Sequence, residues 1–489
     1  MPSDAYEAVI GIEVHCQLKT ASKMFCSCST AYDGARPNSH TCPVCLGLPG
    51  ALPVINRRAV ELVLSAGAAI GASTPDATRW DRKNYFYPDL PKGYQISQYD
   101  LPLASAGTLT VDTSAGPFRI GITRAHLEED TAKLVHGEGP MGERLSLVDF
   151  NRSGVPLMEI VTDPDIRTAE QARRYAEELQ LLLRTIGASD ADMERGQMRV
   201  EANVSLRPRG TEAFGTRVEV KNMNSFRSVE RAIAFEIERQ AAALDAGEPL
   251  RMETRGWADE RGETYHMRAK ETSDDYRYFP EPDLPPLRVD AAWLAQIRGE
   301  LPELPAARRA RYADVLGLSA YDAAVLVADA DAGRLFEATL AAAPGLEAKP
   351  VANWVTGDYL RIRNAADAPV SVEPAQLAEL VRRVTDGAIN RSSGREVLEA
   401  HAATGESIKA IVARLGLRQI SDAGSLGPVV EEVLAANPDA VADVRAGKPQ
   451  AIGFLVGQVM KATRGQANAA VVQAAIRARL DGGTEPGPA

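Results

Sequence analysis

Three stretches of the chain alternate apolar and polar residues with a period of two. Between about residues 8 and 18, Ile10, Ile12, Val14, Cys16 and Leu18 share one side, and Glu13, His15 and Gln17 share the other. Between 198 and 207, Met198, Val200, Ala202, Val204 and Leu206 oppose Arg199, Glu201, Asn203, Ser205 and Arg207. Between 217 and 221, Val218 and Val220 oppose Arg217, Glu219 and Lys221. This period predicts half-buried strands. Helical spacing lies between and after them. Thr168 and Gln171 form a capping-box signal. Ala172, Tyr175, Ala176, Leu179, Leu182, Leu183 and Ile186 follow on one helical face, and Gly187 stops the helix. Residues 228–244 read as a second helix.

The pattern changes at FPEPDLPPL, around Pro280–Pro286. Proline neither pairs inside a central strand nor sits in mid-helix, so the chain leaves its first domain there. Residues 292–480 are rich in Ala, Leu, Glu and Arg and read as almost all helix, with turns expected at Gly424–Pro428 and Asn437–Pro438. The expected organisation is α+β. A mixed domain spans 1–293, a helical domain 294–405 and a compact helical module 406–482. Residues 483–489 are expected to be a disordered tail.

Composition adds little to that picture. The chain has 489 residues, 45% hydrophobic and 25% charged, as in an ordinary globular protein. A prior of about 150 residues per domain allows two to four domains. The net charge of −11 argues against non-specific DNA binding, but leaves RNA open because local patches decide that. The segment 406–481 carries more Lys and Arg than Asp and Glu. The start lacks a basic region followed by an apolar run, and no apolar run approaches the roughly 20 residues that span a bilayer. A cytoplasmic protein is expected, without membrane or DNA partners.

The five cysteines, at 16, 26, 28, 42 and 45, all fall in the first 45 residues. Disulfides are not expected in a cytosolic chain. Cys26-Ser-Cys28 and Cys42-Pro-Val-Cys45 are two close pairs joined by a short loop, a spacing that fits a structural zinc site with four cysteine ligands. The alternative is four reduced cysteines without metal. Cys16, on the apolar side of its strand, reads as a buried core thiol.

The polar sides of the strands carry carboxylates among basic and amide groups: Glu13 with His15, Glu201 with Arg199 and Asn203, and Glu219 with Arg217 and Lys221. A further acidic run is His126-Leu-Glu128-Glu129-Asp130. Any one of these can be a solvated surface residue. Together on one sheet they would line a cleft suited to Mg²⁺, which takes carboxylate oxygens along with water and phosphate. Lysine or arginine beside them could hold phosphate and developing charge. The segment from Asp81 to Gln98 interleaves aromatics and cations around two prolines and reads as a loop. It could stack bases and hold phosphates, or be an ordinary Tyr-rich packed loop. The chain has no P-loop, no GxSxG elbow, no Ser-Ser-Lys pattern and no glutaminase nucleophile outside the cysteines.

GIEVHCQL, DRKNYFYPDLPKGYQISQYD, GITRAHLEEDTAKL, DFNRSGVPLMEIVTDPDI, MRVEANVSLRP, EVKNMNSF and SDDYRYFPEPDLPPL occur in that order, and GFLVGQVMKATRGQANAAVV lies near the end. Together they resemble the B-subunit family of the tRNA-dependent amidotransferases over nearly the whole chain. The resemblance implies a cradle-like domain around a mainly antiparallel sheet, then a helical domain and a tail module that engage tRNA. It implies phosphorylation by Mg-ATP of the side-chain carboxylate of Glu or Asp carried on tRNA. Amidation would follow, with ammonia from a separate amidase (A) subunit and a small C subunit bracing the pair. Carried over by motif, the catalytic positions are Glu13, His15, Glu128, Glu201 and Glu219. Glu13, His15 and Glu128 are the expected magnesium ligands. Lys83, Arg199, Asn203 and Lys221 are the expected ATP-binding residues. Cys26, Cys28, Cys42 and Cys45 are the expected zinc ligands, which some members lack. Position 201 can be Asp in the family, and the longer Glu here could shift the metal slightly. A non-catalytic, zinc-bearing tRNA-binding adaptor is the competing reading.

Overall fold

The computed structural model describes residues 5–269, 273–417, 423–446, 448–463 and 467–481. The tail expected at 483–489 lies outside them. The chain forms two compact units, Met1–Leu304 and Pro305–Ala489.

The first unit opens with β1 (Tyr6–Gln17), α1 (Arg57–Ala69), β2 (Ala77–Thr78), β3 (Asp81–Asn84) and β4 (Tyr94–Ser97). It continues with β5 (Ala104–Thr113), β6 (Gly116–Glu129), β7 (Lys133–Glu138), β8 (Arg144–Asp149), β9 (Pro156–Thr162) and α2 (Ala169–Thr185). Then come β10 (Met198–Pro208), β11 (Val218–Met223), α3 (Phe226–Asp245), β12 (Glu253–Ala258) and β13 (Glu263–Ala269). The unit ends with β14 (Phe279–Pro280), β15 (Leu287–Arg288) and α4 (Ala291–Gly299). Eight strands form one sheet in the order β13-β12-β11-β10-β1-β9-β6-β5. All its pairings are antiparallel except β11 with β12. The three period-two stretches became β1, β10 and β11. They sit in the middle of the sheet because their apolar sides, Ile10, Ile12, Val14, Cys16, Met198, Val200, Ala202 and Val204, are all buried in one core.

Helices α1, α2 and α3 cover that apolar face. The capping box forms at the start of α2: Thr168 accepts from the Gln171 amide, and the Gln171 side chain accepts from the Thr168 amide. Tyr175, Leu179 and Leu183 of α2 are buried. The helix expected at 228–244 is α3. The domain boundary expected at residue 293 falls within α4, which packs on α1 with the Arg57 guanidinium 5.0 Å over the Trp293 ring.

The segment from Asp81 to Gln98, expected as a loop, departs from that reading at both ends. β3 and β4 pair antiparallel with Lys83 opposite Gln95, and β14 adds to β3, so only the middle of the segment is loop. Short runs of four residues between prolines and aromatics carry too little alternation to stand out as strands.

The second unit is helical: α5 (Pro305–Asp314), α6 (Ala320–Ala328), α7 (Ala330–Ala342) and α8 (Ala348–Asn353), then a π-helical turn at Trp354–Tyr359 that runs into α9 (Leu360–Ala365). α10 (Pro374–Thr385), α11 (Arg391–Thr404) and α12 (Ile408–Leu415) follow, and α12 packs on α10 and α11. α13 (Ala423–Ala436), α14 (Pro438–Arg445), α15 (Pro449–Ala462) and α16 (Ala469–Asp481) share a separate core. The turn expected at Asn437–Pro438 joins α13 to α14. The turn expected at Gly424–Pro428 is instead part of α13, with Pro428 inside the helix. A proline there costs about 3 kcal/mol. Burying Leu426, Val430 and Val433 against Leu455, Val459, Val472 and Ile476 returns about 1.5–3 kcal/mol per side chain and outweighs it. Among the described residues, no helix is long and apolar enough to cross a membrane.

Removing the Thr168 cap (Thr168→Ala) is expected to cost about 1 kcal/mol, and Leu183→Ala about 2–5 kcal/mol. Urea unfolding followed by circular dichroism checks both. Equal, small losses would mean that α2 contributes little to the core.

Candidate active site

The polar face of the sheet is built by register. In an antiparallel pair, directly opposite side chains share a face about 4.5–5.5 Å apart. β1 and β10 place Glu13 opposite Glu201 and His15 opposite Arg199. β1 and β9 place His15 opposite Glu159. β9 and β6 place Glu159 opposite His126, after an irregularity at Ile122/Arg124 in β6. β10 and β11 place Asn203 opposite Glu219. One band of polar residues therefore crosses five strands, with His15 near its middle.

His15 Nε2 lies 3.3 Å from Glu159, 3.6 Å from Glu13 and 4.0 Å from Glu128. His126 Nε2 lies 3.5 Å from Glu128 and 3.8 Å from Glu159. The β3–β4 hairpin closes one side. Gln95 and Ser97 donate to the Glu128 carboxylate at 2.9 and 2.8 Å, and Lys83 Nζ stands 3.6 Å from it. At the other side Lys221 Nζ is 2.6 Å from Glu201 and 3.8 Å from Glu219, and Thr254 donates to Glu219 at 2.7 Å. Arg199 is bound to Asp130 at 3.2 Å, and Asp130 also accepts from Gln17 at 2.8 Å. Lys92 pairs with Glu129.

Crowding sets the charge states. Burial, together with Glu159 and Glu201, pushes the Glu13 carboxyl up to about 7. Burial alone would lower His15, but the surrounding Glu159, Glu13 and Glu201 carboxylates raise it to about 9. Burial opposes the ionised Glu159, yet His126, His15 and Lys83 hold it well below the usual range. Lys83 is likewise opposed by burial and held well above its usual range by Glu128 and Glu159.

Two overlapping groups are close enough to share a cation: Glu13, His15 and Glu201, and His15, Glu128 and Glu159. In each group the ligand atoms lie within 4.8 Å of one another. The Nδ1 atoms of His15 and His126 are buried without a hydrogen-bond partner among the described residues. The carboxylates that converge on the His15 and His126 Nε2 atoms fit a divalent cation. The expected ligands Glu13, His15 and Glu128 are thus gathered, and Glu201 with them. Glu219 stands one strand further out, beside Lys221. Arg199 faces Asp130. Asn203 lies in the same band on β10.

Glu159 was not picked out from the sequence, and His126 was named only within the acidic run, with no role of its own. Glu159 is the one charged residue within Pro156–Thr162, a strand buried nearly throughout. A lone carboxylate in an apolar run needs a partner, and that was the available signal.

The four cysteine sulfurs also come within 4.8 Å of one another. Cys42 and Cys45 Sγ are 3.8 Å apart, close to the roughly 3.8 Å edge of a tetrahedron with Zn–S bonds of about 2.3 Å. A hydrogen bond from the Cys26 thiol, against the opposing effect of burial, lowers Cys45 to about 5. Burial and Cys42 raise Cys28 to about 11. A thiolate is already favoured at one corner, and the donor set fits zinc. Cys16 is fully buried in the core.

A band of buried carboxylates and cations on a mixed sheet, beside a loop of four convergent cysteines, has the make-up of a catalytic domain with donor sets that could hold metal ions. The chain belongs to the GatB/GatE family: residues 8–295 match its catalytic domain, and residues 334–480 match the GatB domain. It is 53% identical over 478 residues to the B subunit of the aspartyl/glutamyl-tRNA(Asn/Gln) amidotransferase of Moorella thermoacetica, covering 97% of this chain and all of that protein. It is 51% identical over 485 residues to the corresponding B subunit of Anaeromyxobacter sp. strain K, covering 98% of this chain and all of that protein. The B subunit of Carboxydothermus hydrogenoformans is 49% identical over 479 residues, covering 97% and 99% of the two chains.

Glu159→Gln is expected to weaken Mn²⁺ binding to the metal-free chain about as much as Glu128→Gln, by about 10-fold or more. Calorimetric titration reads it, and unchanged affinity would remove Glu159 from the cation group. Asp130 is opposed by burial but lowered to about 2 by Arg199 and Arg152. Its folded value lies below its unfolded one. Its contribution is complete above about pH 4 and is lost as pH falls through about 2. Asp130→Asn should therefore flatten the acid limb of the stability profile.

Proposed function

We propose that this chain is the B subunit of a tRNA-dependent amidotransferase. Its first unit would phosphorylate and then amidate the side-chain carboxylate of Glu on tRNA(Gln), Asp on tRNA(Asn), or both. What supports this reading is the near full-length similarity to amidotransferase B subunits, joined to one observation: three carboxylates from three strands lie within 4.0 Å of a single imidazole nitrogen, with lysines on both sides.

The chemistry needs such a basin. An oxygen of the substrate carboxylate attacks the γ-phosphorus of ATP, the bond to the β-phosphate oxygen breaks, and ADP leaves with the electron pair. Two anions must approach each other for this. A Mg²⁺ ion held by Glu13, His15 and Glu128 would screen that repulsion. Lys83 and Lys221, with Arg199 and Asn203, hold the phosphates and orient them. Ammonia then attacks the acyl carbon, the carbon–oxygen bond to phosphate breaks, and inorganic phosphate leaves with that electron pair. The nitrogen gives up a proton, which the departing phosphate takes. Glu201 and Glu219 keep Lys221 in position.

The sequence offers no glutaminase nucleophile outside the cysteines. The ammonia would come from glutamine hydrolysed by a partner amidase subunit, with a small C subunit completing a cytoplasmic heterotrimer. The module at 406–482 would engage the tRNA, and zinc on the four cysteines would be structural.

The test reconstitutes the chain with its amidase partner and supplies Glu-tRNA(Gln) and Asp-tRNA(Asn) with ATP, Mg²⁺ and ammonia. The expected products are ADP with Gln-tRNA, Asn-tRNA or both. Glu128→Gln and Glu201→Gln are each expected to lower the rate about 100-fold or more while tRNA binding persists. Tight tRNA binding with no product from the unaltered chain would support the adaptor reading instead.

A further inference from the structure

Lys23 lies just before the first cysteine pair and is fully buried. A lysine is almost never that buried unless paired. Its ammonium has three donors, and three acceptors face it. Nζ donates to the carbonyl oxygens of His40 at 2.7 Å and Phe150 at 3.3 Å, and stands 3.7 Å from Cys45 Sγ. Among the described residues, no carboxylate forms an ion pair with it. The two carbonyls are neutral. The cysteine sulfur is the one partner able to carry a full negative charge.

The surroundings fix this arrangement. The turn at 150–154 closes over the cysteine loop: His40 donates its amide to Asn151 at 2.8 Å, and Ser153 donates to the Cys45 carbonyl at 3.1 Å. Met24 donates its amide to the Gly154 carbonyl at 2.7 Å. Gly154 has φ +82°, and a Cβ there would lie 3.5 Å from Cys45 Cβ and 3.7 Å from the Lys23 stem. The same turn leads directly into β9, which carries Glu159.

Four thiolates around a divalent zinc ion leave two negative charges in a partly buried loop. We propose that Lys23 is the built-in counter-cation of a metal–tetrathiolate site at Cys26, Cys28, Cys42 and Cys45, hydrogen-bonded to the Cys45 sulfur and tying the site to the 150–154 turn. This rests on the zinc reading of the four cysteines. Lys23 is a positioning residue here and touches no reacting group. Removing its charge weakens metal binding, because the sulfurs then repel without compensation. It also returns electron density to the Cys45 sulfur, which moves the sulfur-to-metal charge-transfer band of a Co²⁺-substituted site to lower energy.

The experiment uses the full chain, stripped of metal and titrated with Zn²⁺ against a chromophoric chelator, and with Co²⁺ by absorption. The unaltered chain must first take up one ion with a four-thiolate spectrum; if it does not, the zinc reading fails and the Lys23 proposal with it. With that established, Lys23→Met is expected to bind Zn²⁺ about 10–100-fold more weakly and to shift the Co²⁺ band to lower energy. Unaltered affinity and an unshifted band would overturn the proposal. A second measurement needs no substitution. Amine acetylation of the unaltered chain, mapped by mass spectrometry, should spare Lys23 when zinc is bound and label it once zinc is removed. Equal protection in both states would also overturn the proposal.

Discussion

The repulsion among carboxylates on one face of the central sheet is the constraint around which the first unit is organised. Glu13 and Glu201 stand directly opposite each other on β1 and β10, and Glu159 reaches the same imidazole as Glu13. Like charges placed this way destabilise a sheet. They cannot move apart by a shift of register, since a slip of one residue would turn the buried side of β1 to solvent and the polar side into the core. Cations are the remaining solution. Lys83, Lys221, Arg124 and His15 supply them, from the β3–β4 hairpin, β11, β6 and β1 respectively.

The same strands therefore do two jobs with their two faces. Ile10, Ile12, Val14 and Cys16 hold β1 under α1, α2 and α3, and the residues between them present the charged band. A helix-backed sheet suits the proposed reaction between two anions. The groups that stabilise charge must already be in place when the charge develops, and a sheet anchored by a continuous core holds them there. The perturbed charge states follow from burial and that enforced proximity: burial and its carboxylate neighbours raise the Glu13 carboxyl, and the cations around Glu159 hold it ionised against burial.

Around this frame, parts with little apolar content are held by polar ties. The β3–β4 hairpin is fastened to β6 through Gln95, Ser97 and Lys92. The cysteine loop is fastened to the 150–154 turn through Lys23, His40 and Ser153. Both attach at the ends of β6 and β9, next to Glu128 and Glu159. The loops thereby bear on the geometry of the charged band, while Ile96 joins the core and Val44 and Tyr94 pack against it.

Much of this was legible in the chain itself. Period-two alternation located β1, β10 and β11 and assigned their faces, because alternation is a local consequence of strand geometry. The capping box placed the start of α2 within the sequence. Cysteine spacing marked two close pairs, and the fold brings all four sulfurs together. Glu13, His15 and Glu201 were candidates once those faces were read, and Glu128 through its acidic run. What the tertiary structure alone decided is which of them meet. His15 touches Glu159, 144 positions away, because β9 runs antiparallel beside β1, and His126 joins them through β6. Pro428 sits within a helix because a core assembled from α13, α15 and α16 outweighs its local cost. Alternation and turn chemistry are written into neighbouring residues. Strand order and register depend on the combined burial of the whole sheet, and no local pattern carries that information.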